Sequence, residues 1–285
     1  MKQLLGLLVM LLTMLLVGIP RAADISGLPW NQSNIAKLRE LSKDDLLEFF
    51  NQERRNAGVV LEPLTANEIG QFEWADLAND GQYELVLTLF EPCTHAVEIE
   101  KRDASGNVTT VQTIEGLANL KTGIRDLDGD GKDELVIGKT LAEYSCASIV
   151  TWPAVYRLEN GKYVEASRDF PAFYDDEVLP KLDAEIKQYR AKEVKAGAID
   201  QWNPAGFIMA RDKILRVLGR DPTAGLKQAN DWMNSSDPQL AFYAAAMFKD
   251  IGGHEQDAKA AEVSYRRAKC KRHPGLAMCR AAAPN

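Results

Sequence analysis

The chain has 285 residues, 46% of them hydrophobic, and its 41 acidic side chains outnumber 34 lysines and arginines for a formal net charge of −7. An acidic chain is a poor general nucleic-acid binder, because such binding draws its affinity from basic side chains that neutralise phosphates, so no nucleic-acid partner is expected. The length suffices for one large domain or two smaller ones with cores of their own.

At the start, Lys2 precedes an uncharged, largely apolar run from Leu4 to Ile19, followed by the small residues Ala22 and Ala23. The run is too short to span a bilayer comfortably and has the charged-then-apolar order of a secretory signal peptide. Residues 1–23 are therefore expected to be a signal peptide, and the protein periplasmic or secreted. Arg21 stands where cleavage prefers a small residue, so an uncleaved anchor is the alternative. Losing Lys2 and Arg21 with this segment takes the net charge from −7 to −9.

Residues 24–65 read as two short helices, with Ser33 and Ser42 as candidate N-caps. Ser42 has Asp45 three positions on, as in a capping box, and Leu46, Phe49 and Phe50 share one helical face. From 66 to 170 the pattern changes to short β-branched or alternating runs: Leu85 to Phe90, Ala96 to Glu100, Val108 to Ile114, Leu135 to Ile137, Val155 to Leu158 and Tyr163 to Ala166. Asn160-Gly161 separates the last two and predicts a tight hairpin, since both residues tolerate positive φ. Residues 171–285 return to helical spacing. Val178, Leu182, Ile186 and Tyr189 form one apolar face, Phe207, Ile214, Leu215 and Leu218 a second, and Leu240, Ala244, Met247, Phe248 and Ile251 a third. Asp221-Pro222 and Asp237-Pro238 each place a capping carboxylate before a proline and predict two helix starts. The expected class is α+β: an antiparallel β unit with N-terminal helices, followed by a C-terminal helical bundle.

The densest chemistry lies in Asp126-Leu-Asp128-Gly-Asp130-Gly131-Lys132-Asp133-Glu134. Carboxylates at loop positions one, three and five converge when the chain curls, and glycine at position six permits the bend. The Lys132 carbonyl at position seven and the Glu134 carboxylate at position nine would complete a shell of hard oxygens. That donor set suits Ca²⁺, and the lack of thiols and imidazoles disfavours zinc. An EF-hand needs a glutamate at position twelve, where this loop has Ile137 inside an apolar run. The loop therefore feeds a strand. Fifty residues earlier stands a reduced copy, Asp76-Leu-Ala78-Asn79-Asp80-Gly81-Gln82-Tyr83-Glu84, in which Ala78 replaces the ligand at position three. It keeps positions one, five, six and nine.

The pair, over about 66–170, resembles the FG-GAP and VCBS-type repeats of integrin-like β-propellers and many secreted bacterial proteins. The resemblance implies a four-stranded blade per repeat with a calcium loop at its edge, held here by Asp126, Asp128, Asp130, Lys132 through its carbonyl and Glu134, with Asp76, Asp80, Gln82 through its carbonyl and Glu84 as a reduced set in the first loop. Propellers usually need at least four blades to close, so two copies imply a small two-sheet unit propped by helices, a partial ring, or further blades not evident in the sequence.

Four cysteines in an oxidising compartment suggest two disulfides. Cys93 and Cys146 follow corresponding strands of the two copies and are expected to pair, leaving Cys270 with Cys279. A zinc site from Cys270, His273 and Cys279 has irregular spacing and yields to the disulfide. No nucleophile, histidine-metal or phosphate-loop motif is present, and the only histidines are His95, His254 and His273. Arg266, Arg267, Lys269, Lys271, Arg272 and Arg280 make the tail basic. Cations near a helix C-terminus account for it, and contact with an anionic surface is the sharper alternative. The expected function is non-catalytic binding or scaffolding outside the cytoplasm with Ca²⁺ and a protein or cell-surface partner. Membrane contact would come only through an uncleaved signal or the basic tail. The alternative is an exported hydrolase with a site between the β and helical parts.

Overall fold

The computed structural model describes residues 28–40, 42–56, 63–91, 94–103, 105–145, 148–196 and 204–280. The expected signal segment 1–23 and the expected Cys93–Cys146 disulfide lie outside the described residues. The class is α+β, with two four-stranded antiparallel sheets, helices before them and helices after them. None of the described helices is long and apolar enough to cross a membrane.

Each sheet is a meander in chain order. The first contains β1 (Ile69–Ala75), β2 (Glu84–Glu91), β3 (Thr94–Arg102) and β4 (Val108–Glu115), and the second β5 (Ile124–Arg125), β6 (Glu134–Ser145), β7 (Ser148–Glu159) and β8 (Lys162–Glu165). Asn160 and Gly161 turn from β7 to β8 at φ of 51° and 77°, as the hairpin reading requires. The chain divides into two compact units, one of Met1–Glu115, Asn119–Asp133 and Leu158–Lys162, the other of Gly116–Ala118, Glu134–Arg157 and Tyr163–Asn285.

In the first unit, α1 (Gln32–Arg39) and α2 (Lys43–Asn56) cover one face of the first sheet. Ser42 caps α2, its hydroxyl oxygen accepting the Asp45 N–H at 3.1 Å while the hydroxyl donates to the Asp45 carboxylate. Ser33 lies inside α1, whose N-cap is Asn31, so the predicted cap is displaced by two residues. Leu46, Phe49 and Phe50 of α2 pack with Trp30, Trp74, Leu85 and Leu87. Burying each such side chain is worth about 1.5–3 kcal/mol. The buried face of α2 continues onto Glu53 and Arg54. Arg54 pairs with Glu98 at 2.6 Å and with Glu100 at 3.4 Å, and Arg102 pairs with Glu53 and stacks over the Trp30 ring. Glu98 and Glu100 sit opposite Leu87 and Leu85 in the β2–β3 register, so these charges belong to the helix-covered face.

In the second unit, β6 and β7 run as a long hairpin from Leu135↔Tyr156 to Ser145↔Ser148, with register shifts at Thr140/Ala142 and Glu143/Ser145. Ala142 and Val150 join the core of α4 (Ala205–Val217), α5 (Leu226–Met233), α6 (Pro238–Ile251) and α7 (Glu255–Arg272), which follow α3 (Leu179–Ala196). That core is rich in small residues, with Ala205, Ala229, Ala244 and Ala261 at 0% exposure, so the helices approach closely around Met209, Met247 and Phe248. Asp237 caps α6 through the Gln239 N–H at 3.0 Å, with Pro238 at the first helical position, as predicted. Asp221-Pro222 does not start a helix. Asp221 instead accepts the Thr223 N–H in a turn, and α5 begins at Leu226 behind Gly225, whose φ of 89° supplies the bend. The positive φ is what favours glycine there, and a Cβ would also displace the Met247 methyl, which lies 2.5 Å from its position. Cys270 and Cys279 form the expected disulfide, joining the end of α7 to the short helix α8 (Ala277–Arg280).

Candidate metal centre

Both acidic loops connect the first two strands of a sheet. The first lies between Ala75 and Glu84, the second between Arg125 and Glu134, so the fifty-residue spacing extends from the loops to the strands that hold them. A short acidic segment takes up a defined curl when its own side chains satisfy the backbone N–H groups turned inward. Asp126 does so with both oxygens, accepting Gly129 N–H at 2.7 Å and Gly131 N–H at 3.0 Å. Asp128 accepts Asp130 N–H at 3.1 Å, and Asp130 accepts Lys132 N–H at 2.8 Å. In the first loop, Asp76 accepts Asp80 and Gly81 N–H groups, each at 2.9 Å, and Asp80 accepts Gln82 N–H at 2.8 Å.

The bends match as well. Asn79 and Gly81 have φ of 54° and 84°, and their counterparts Gly129 and Gly131 have 81° and 88°. The reading of the sequence identified only the second position of each pair. An asparagine or glycine at position four was a visible signal, since asparagine is among the few side chains that tolerate the left-handed region.

Carboxylate placement separates the loops. Asp126, Asp128 and Asp130 each offer an oxygen, and these oxygens lie within 4.8 Å of one another on the exposed surface. Among the described residues this is the only such group of three. Glu134 opens β6, is fully buried and stands outside that group. Asp76, Asp80 and Glu84 do not converge in the same way. Glu84 turns one oxygen to the Leu77 N–H at 3.1 Å, bracing the start of its loop. Burial pushes the Glu84 carboxyl up to about 7, with Asp80 and Asp76 adding to the rise against the Leu77 hydrogen bond.

The two loops touch. The Asp133 N–H donates to the Leu77 carbonyl at 3.1 Å, and a Cβ on Gly131 would lie 3.0 Å from the Asn79 amide nitrogen. Burial raises the Asp133 carboxyl, and the nearby Asp126 and Asp76 charges raise it further. The arrangement is a patch of crowded carboxylates whose repulsion a divalent cation would relieve. Its donors are hard oxygens, the set that suits Ca²⁺. Compared with protein-family models, curated proteins and solved structures, the chain matches none of them.

Proposed function

We propose that the chain is an exported calcium-binding protein of the non-catalytic, binding or scaffolding kind, built on two repeats of the FG-GAP/VCBS type. The observation that carries the reading is the convergence of Asp126, Asp128 and Asp130 in a loop already shaped by its own hydrogen bonds. Asp126, Asp128 and Asp130 would hold the ion, with the Lys132 carbonyl and Glu134 as further donors from the sequence reading. When bound, the ion supplies charge neutralisation and a fixed loop. The matching curl and bends of the two loops support the repeat reading, and the Cys270–Cys279 disulfide supports an oxidising compartment.

Thermal unfolding with millimolar calcium and with a chelator tests the proposal. A ligand that binds only the native state stabilises it by mass action, and extracellular modules with Kd of about 10⁻⁴–10⁻³ M would gain about 1 kcal/mol. Asp128→Ala gives the second loop the composition of the first at position three and is expected to remove most of that gain. Identical melting curves with calcium and chelator, or an undiminished response in Asp128→Ala, would refute the assignment.

A further inference from the structure

Strand β6 is partnered along its whole length on one side only. On one side β7 accompanies it from Leu135 to Ser145. On the other, β5 has two residues, and the last backbone contact is the Leu117↔Gly138 bridge, bonded both ways at 3.0 and 2.6 Å. From Lys139 to Ser145 no described group forms a hydrogen bond to the backbone of β6 from that side. A row of unpaired N–H and C=O groups is a template for another extended chain.

Beside this segment lies a cleft of about 470 Å³. Leu141, Ala142 and Glu143 line it from the strand, and Phe242, Ala245 and Ala246 line it from α6. The floor is apolar, and the alanines leave room for a side chain. The charges at the rim are mostly spoken for: Lys249 pairs with Glu262 at 2.6 Å, and Asp250 pairs with Lys213 and Arg216. Glu143 is exposed and has no ionic partner among the described residues. The register shifts at Leu141 and Tyr144 make the edge irregular, which discourages pairing with an identical edge and favours a partner with fitted side chains.

We propose that Lys139–Ser145 and the adjoining cleft form a docking groove for an extended peptide segment of another protein. The segment adds as a strand, seats an apolar side chain against Phe242 and Ala246, and places a basic side chain at Glu143. No residue of the groove belongs to the acidic loops, so this inference stands or falls separately from the calcium reading.

Selection from a display library of random linear peptides on the whole chain, followed by titration of a synthesised selected peptide, tests the proposal. Expected are enriched sequences with alternating apolar positions and a basic residue, and slowed amide exchange along 139–145 on binding. Ala246→Trp fills the cleft and Glu143→Lys reverses its charge, and each is expected to weaken binding by about tenfold or more with unfolding unchanged. Binding is expected to be equal with calcium and with chelator. The proposal is overturned by failure to enrich, by binding without slowed exchange in β6, or by both variants binding as wild type. It is equally overturned if the same amides slow on self-association without peptide, which would make a second copy the occupant.

Discussion

The two sheets share an order and a loop, yet their central hairpins differ in length and in what covers them. β2 and β3 have 8 and 9 residues, whereas β6 and β7 have 12 each. The longer hairpin carries Ala142 and Val150 into the helical core of the second unit. The shorter one presents Glu98 and Glu100 to α2, where Arg54 meets them. The common part of the repeat is therefore the loop and its strand order, and the face of each central hairpin is adapted to its own helices. The first core sets buried ion pairs beside its aromatic rings, whereas the second packs its aromatic rings among alanines.

The largest effect expected from this contrast is at Arg102. Its pair with Glu53 is buried on both sides, with 5% and 3% side-chain exposure. Arg102→Ala would take the guanidinium away from a buried carboxylate and is expected to cost about 3–5 kcal/mol in urea unfolding, whereas replacing both partners by methionine should recover most of the loss. If the single substitution is silent, charge does not hold the first unit together. In the second unit, Ala244→Leu overfills the alanine-lined core and is expected to cost about 1–3 kcal/mol. A smaller cost would mean that the helices separate easily.

Glu100 sharpens the comparison through pH. Burial raises its carboxyl, with the Glu98 charge adding to the rise and the Thr110 and Arg54 contacts opposing it. A carboxyl whose pKa is raised on folding contributes stability below its unfolded pKa and loses it as pH rises through the folded value. Wild type is thus expected to lose stability relative to Glu100→Gln between acidic and neutral pH. Urea unfolding at pH 4 and pH 8 checks this, and a gap that narrows in the opposite direction contradicts it.

The smallest expected effect is a gain. Ala78→Asp restores the missing carboxylate to the first loop and is expected to add a second calcium-dependent increment, at most about 1 kcal/mol at millimolar calcium, with slight destabilisation in chelator. Calorimetric titration should then count one more ion than in the wild type. If the count stays the same, the turned-away Glu84 rather than Ala78 limits the first loop.

The central strands of the first sheet were legible in the sequence because both of their faces are buried. Leu85 and Leu87 face the helices while Val86 and Ile99, paired on the other face, are also covered, giving an apolar run that announces a strand. β1 escaped notice because Gly70, Gln71 and Glu73 break any alternation, and its register shifts between Ile69 and Phe72. Glu53 and Arg54 continue the apolar face of α2 at helical spacing, but isolated charges read as solvent-facing until their partners on β3 are known. The far half of β6 was missed for a related reason, since its register shifts move side chains off the two-residue period. In the second acidic loop the three converging aspartates were legible from their alternate spacing, whereas the bend at position four and the separation of Glu134 from the group were not. The contact of one loop with the other was not legible either, because it runs through the backbone of Leu77 and Asp133 and leaves no mark on side-chain choice.

That contact gives the molecule an internal timekeeper. The amide proton of Asp133 is held by the carbonyl of Leu77, so it can exchange with solvent only when the two loops part. A single resonance would thus report how often the two loops part at this bond. An ion settling on Asp126, Asp128 and Asp130 would lengthen the interval between openings without touching the bond that is timed.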